Sequence, residues 1–192
     1  SFMITIYYNL DMVMLGSIKT QTEVGIYNAS YKIFMIGLIP LAAIVKIFLP
    51  SLSKAKDVEL LKRTIGNYGI MMFSSGIIIA SFVFFSAELS VNIIFGNAYA
   101  NSVYPLMVLA LNVAVISVNI FFGNPLTVWG KQKAYSIAIT FGAIINIILN
   151  LLLIPKYSYN GAALATLLSE VVVFWGVFYF FNLNLKKIIT QG

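Results

Sequence analysis

The stretch YYNLDMVMLGSIKTQTEVGIYNASYKIFMIGLIPLAAIVKIFLP (Tyr7–Pro50) decides how this chain folds. Two long apolar runs flank a short polar turn near Lys19–Glu23, and each run carries a charge that is hard to place in oil, Asp11 or Lys32. A first helix ending near Ile18 and a second starting near Val24 set both charges at matched depth, roughly 10–12 Å from the same end of the hairpin. An acid and a base so placed on neighbouring helices are expected to pair, which makes each tolerable in hydrocarbon. Tyr7 precedes Asp11 by one helical turn and Asn28 precedes Lys32 by one, so each charge has a polar neighbour on its own face. Two readings stand side by side: an ion pair that locks the hairpin, or a solvated cavity that meets a substrate or a coupling ion.

Composition supplies the setting. The chain has 192 residues, 60% hydrophobic and 9% charged, with mean hydropathy +0.95. Soluble domains carry about a quarter charged residues, so this chain needs a bilayer to cover its apolar surface. Cysteine and histidine are both absent, which excludes disulfides, thiolate metal sites, Cys nucleophiles and His acid–base chemistry within the chain. The net charge of +6 comes from lysines and arginines scattered through short loops, a pattern that speaks for membrane topology and against nucleic acid. No basic n-region or small-residue cleavage site marks a secretory signal. The first apolar run starts at once after Ser1, so a fragment with its upstream part missing is expected.

Six apolar segments are expected as a bundle of six transmembrane helices, over residues 1–18, 24–52, 65–85, 103–128, 136–154 and 161–181. Each is close to the ~20 residues that cross the hydrocarbon core. Pro40 should kink the second. KAKDVELLKR (Lys54–Arg63) reads as a charged connection, Ser86–Ser102 as a short interfacial helix and a turn, and Pro155 as the end of the fifth segment. Alternation puts Lys54, Lys56, Lys62, Arg63, Lys131, Lys133, Lys186 and Lys187 on one side, and Lys19 and Lys156 on the other. The basic side should be cytoplasmic, with both chain ends there, while Lys46 snorkels out. One compact unit spanning 1–192 is expected.

Three ionisable groups stay inside the membrane: Asp11, Lys32 and Glu170. Glu170 lies near the middle of the sixth segment, with Thr166 one turn before it. Folding the fifth and sixth segments about residue 157 brings Glu170 level with Asn146, its candidate partner. Asn146 and Asn150 share a helix face, as do Asn112 and Asn119, and both pairs read as interhelical glue. For Glu170 a place in a polar cavity competes with a purely structural role. Tyr27, Tyr99, Tyr104, Tyr157 and Tyr159 fall near segment ends and suit an interfacial aromatic belt. There is no Walker loop, no HExxH and no paired carboxylates in one loop, so neither an enzyme nor a metal or cofactor site is expected.

YYNLDMVMLG (Tyr7–Gly16) followed by VGIYNASYKI (Val24–Ile33) resembles the seventh and eighth helices of the bacterial polysaccharide flippases, within the multidrug/oligosaccharidyl-lipid/polysaccharide exporter superfamily. IIFGNAYANSVYPLMVLAL (Ile93–Leu111), VWGKQKAY (Val128–Tyr135) and LLLIPKYSYNGAALATLLSE (Leu151–Glu170) resemble later parts in order, over almost the whole chain. The resemblance implies the C-terminal lobe of a two-lobe transporter of twelve or more helices. It also implies a missing N-terminal lobe of the same protein as partner and the bacterial inner membrane as its place. The implied substrate is an undecaprenyl-pyrophosphate-linked oligosaccharide, moved by alternating access for O-antigen, capsule or exopolysaccharide assembly. Asp11 and Lys32 match the family's acidic and basic positions, so a cation is expected to attract pyrophosphate and a carboxylate to carry a coupling proton or sodium. A cation-coupled drug antiporter of the same fold, and a non-transporting scaffold of polysaccharide assembly, remain as alternatives.

Overall fold

Thr20 starts a long apolar helix of 33 residues. Its hydroxyl accepts from the Glu23 backbone N–H while the Glu23 carboxylate accepts from the Thr20 N–H, a reciprocal cap that satisfies donors the helix cannot use itself. The computed structural model describes residues 2–54 and 57–191, with side chains for 10–54, 57–186 and 188. In chain order the helices are α1 (Phe2–Ile18), α2 (Gln21–Ser53), α3 (Val58–Phe85), α4 (Ala87–Phe95), a 3-10 turn (Asn97–Ser102), α5 (Val103–Val128) and α6 (Gln132–Gln191). No strand occurs among the described residues.

Several boundaries differ from the sequence reading for local reasons. α2 stays helical through Pro40 and Pro50. α3 begins seven residues before the expected start at Ile65, because the Asp57 side chain accepts from the Leu60 N–H at 2.7 Å and caps it there. Most of the charged connection is therefore the first turns of a helix. Pro155 does not end a helix; the break falls at Ser158, whose backbone sits at φ 51°, ψ −132°. A straight helix as long as α6, 60 residues, would run about 90 Å, three times the hydrocarbon core. Instead its two arms, 132–157 and 159–191, fold back on each other. Asn146 donates to Ser169 across the arms at 3.3 Å. Gly142 lies so close to Val173, and Gly176 to Ala138, that an added Cβ would overlap the facing side chain. The fold-back about residue 157 is as expected, as are the short helix α4 and the turn after it, where Gly96 takes φ 79°.

α5 is the central helix. Of its most apolar window 61% lies buried, against 22% for α2 and 33% for α3. It presents Leu106, Leu109, Val113, Ile116 and Phe121 to the core. Outward-facing residues are apolar too: Phe82, Phe85, Ile93 and Trp175 are largely exposed. Among the described residues, four helices, α2, α3, α5 with its preceding turn, and α6, are long and apolar enough to cross a membrane. An apolar exterior on an all-helical chain means that lipid is its solvent, and the protein is a multi-pass membrane protein.

Candidate intramembrane polar site

Four helices contribute to one buried polar cluster, each through residues at helical spacing. α2 supplies Tyr27 and Tyr31, α5 supplies Asn112 and Asn119, the first arm of α6 supplies Asn146 and Asn150, and its second arm supplies Thr166 and Glu170. α1 supplies Asp11, which is only 4% exposed. Such i, i+4 and i, i+7 repeats keep polar groups on one face, so each helix turns a narrow polar stripe inward and stays apolar elsewhere.

Asp11 is the hub. Asn150 Nδ2 donates to its Oδ1 at 2.5 Å, while Thr166 Oγ1 and Tyr27 OH donate to its Oδ2 at 2.7 and 3.1 Å. Asn150 also donates to Asn146 Oδ1 at 3.0 Å, which holds the amide's orientation toward the carboxyl. Hydrocarbon offers no water to satisfy a carboxyl, so fixed donors from α2 and both arms of α6 replace it. A second limb centres on Glu170, 9% exposed. Asn119 Nδ2 donates to its Oε2 at 2.6 Å and to its backbone carbonyl at 3.0 Å. Asp11 and Glu170 both line a cavity of about 10 Å3 together with Tyr31, Phe34, Asn112, Ile116, Asn146 and Thr166. That volume is at the lower limit for one water molecule. Asn112 is completely buried there, and neither its amide nitrogen nor its amide oxygen has a hydrogen-bond partner among the described residues.

The expected pairing of Asp11 with Lys32 does not form. Lys32 is exposed. The depth match is sound, but Tyr27, Tyr31 and Phe34 form the buried face of α2, and Lys32, one residue past Tyr31, projects about 100° away from it. Asn28 is half-buried and does not line the cavity. The side chain of Tyr7 lies outside the described residues. Asn146 is not the partner of Glu170: it donates to the neighbouring Ser169, and Asn119 of α5 takes Glu170. Tyr27 leaves the aromatic belt for the core, being fully buried, whereas Tyr104 and Tyr157 are exposed as a belt requires. The signal for Tyr27 was its i, i+4 relation to Tyr31 on the face opposite the exposed Ile36 and Ile39.

A second polar group closes one end of the α1–α2 hairpin against the bend of α6. Ser158 Oγ donates to Glu23 Oε1 at 2.5 Å, and Lys19 Nζ donates to the Pro155 carbonyl at 3.2 Å. The Ser158 hydroxyl, followed by the Thr20 N–H and hydroxyl, stabilises the ionised Glu23 and holds its carboxyl below the usual range.

A family model described as a polysaccharide biosynthesis protein matches residues 1–56. An uncharacterized membrane protein of Methanocaldococcus jannaschii is 34% identical over 95% of this chain and 43% of its own length. A capsular polysaccharide biosynthesis protein of Staphylococcus aureus is 29% identical over 90% of this chain and 44% of its own. A probable low-salt glycan biosynthesis flippase of Haloferax volcanii is 27% identical over 86% of this chain and 36% of its own. The chain thus spans less than half the length of these curated relatives. No solved structure matches.

Proposed function

We propose that this chain, similar to a capsular polysaccharide biosynthesis protein and to a probable glycan biosynthesis flippase, forms one lobe of a transporter for lipid-linked oligosaccharides. α1, α2, α3, α5 and the two arms of α6 serve as six membrane spans of this lobe, and a second lobe of the same protein supplies the remaining cavity wall. The two lobes rock against each other so that the substrate is reached first from the cytoplasm and then from outside. The Lys/Arg bias puts both ends of this segment in the cytoplasm, and the Glu23–Ser158 end outside.

The observation that carries this reading is the buried Asp11 with donors from three directions. Intramembrane carboxylates are expensive and mark ion or substrate pathways. Asp11 binds the coupling proton or cation, and the occupied and empty states of its cage favour different positions of α1 against α6. Lys32, exposed on α2, serves a separate task, presenting a positive charge to the substrate's pyrophosphate. A cavity of about 10 Å3 holds a small ion or a water and no drug molecule, which weighs against a drug antiporter that binds its cargo here. The reading assigns transport and no catalysis.

Deletion of the full-length gene tests the proposal. Lipid-linked repeat units should accumulate facing the cytoplasm, and re-expression should restore export. Normal exposure of these units outside in the deletion strain would overturn the proposal. Loss of export on loop changes, with no effect of neutralising Asp11, would favour the scaffold instead.

A further inference from the structure

The cavity contains more than the Asp11 cage uses. Asn112 is buried with both ends of its amide unpartnered, inside a chamber whose wall also carries two carboxyl groups. A primary amide left empty at both ends in hydrocarbon is costly unless something in the chamber engages it. The chamber has room for one small polar guest, and a single water has the required chemistry: it accepts from the amide nitrogen and donates to an oxygen. Thr166, which donates to Asp11 at 2.7 Å, is one turn before Glu170 on the same arm. Asp11 is thus held at Thr166 and Glu170 stands one helical turn farther along the same arm, both on the wall of one chamber.

We propose that Asp11 and Glu170 form a dicarboxyl unit that binds one proton between them, linked by a water molecule held on Asn112. Transfer is balanced: the Glu170 carboxyl gives its proton to the water as the water gives one of its own to the Asp11 carboxylate, and the reverse step restores the start. No electrons move. Each carboxyl keeps its own fixed donor, Asn150 for Asp11 and Asn119 for Glu170, so neither amide must rotate as the proton crosses. Among the described residues, the groups facing the pair include Tyr27 and Tyr31 from α2, Asn112 and Asn119 from α5, and Asn146, Asn150 and Thr166 from α6. Among the described residues, Asp11 and Glu170 are the only acids lining the cavity, and no lysine or arginine lines it.

This inference rests on the reading of the cavity as the coupling site, but its test does not depend on transport. The full-length protein, purified without substrate or gradient, is titrated while the infrared band of protonated carboxyls is followed. Two interacting carboxyls should take up protons in two steps separated by more than about one pH unit. Glu170→Gln should leave a single step. Asn112→Leu keeps both acids, fills the chamber with methyl groups and should draw the two steps together, which covers the case in which Glu170→Gln fails to fold. Wild-type behaviour in Asn112→Leu, or an Asp11 titration unchanged by Glu170→Gln, would overturn the proposal. Lost export with an unchanged titration would leave the flippase reading standing and remove only the dicarboxyl unit.

Discussion

Two carboxylates tie the α1–α2 hairpin to α6, and they do so in different solvents. Asp11 reaches Asn150 and Thr166 in the buried interior, while Glu23 reaches Ser158 at the hairpin's open end. Water can replace any bond that Glu23 loses. Bulk water cannot reach in to replace a bond that Asp11 loses. The interior tie therefore draws on three donors, from α2 and the two arms of α6, whereas the outer tie draws on Ser158 and on its own helix cap. A carboxyl whose environment must be built in full is also one whose state the helices around it, α2 and both arms of α6, can sense.

Breaking the interior tie should have the largest effect. Asn150→Leu combined with Thr166→Val removes both α6 donors described above from Asp11, and each lost interhelical bond should cost about 1 kcal/mol in detergent-solubilised protein. Thermal unfolding of the single and double variants checks this, and the two losses should not add, because both donors serve one carboxyl. The bend of α6 comes next. Ser158 has positive φ with ψ −132°, a region in which a side chain costs of order 1–3 kcal/mol. Ser158→Gly should therefore be about 1 kcal/mol more stable than Ser158→Ala, measured by the same melts.

A smaller, pH-dependent effect belongs to the outer tie. Glu23 has its folded-state pKa lowered by the Ser158 hydroxyl and the Thr20 cap. Its stabilisation is fully present above the unfolded carboxylate range and is lost as pH falls through the folded value. The melting difference between wild type and Glu23→Gln should be visible at neutral pH and vanish in acid, and it should be modest because water screens this group. The smallest effect on stability is expected at Lys32. Lys32→Gln should change unfolding by no more than about 0.5 kcal/mol, because the side chain is exposed, while it reduces export if it meets the pyrophosphate.

The helical architecture was legible because hydrophobic run length is a strong signal in a chain with so few charges. The fold-back near residue 157 was legible for the same reason. Helix starts were less so: Asp57 caps α3 within a stretch whose lysines read as a loop. Asp11 and Glu170 were found from sequence because a charge in an apolar run stands out. Their partners were not, since depth along a helix can be counted from the sequence but the direction a face points depends on how neighbouring helices pack. That is why Lys32 looked like the mate of Asp11, and why Tyr27, read as a belt residue, and Asn112 and Asn119, read as glue, took their places around the two acids only when α2 and α5 were set against α6.

The most direct test is export by Asp11→Asn, a change that keeps the shape of the cage and removes its charge. With the full-length protein at wild-type abundance, the account predicts that polysaccharide export falls roughly tenfold or more, the size expected when a coupling free energy is lost. Export at the wild-type level from the folded variant would contradict the assignment of Asp11 as the coupling group.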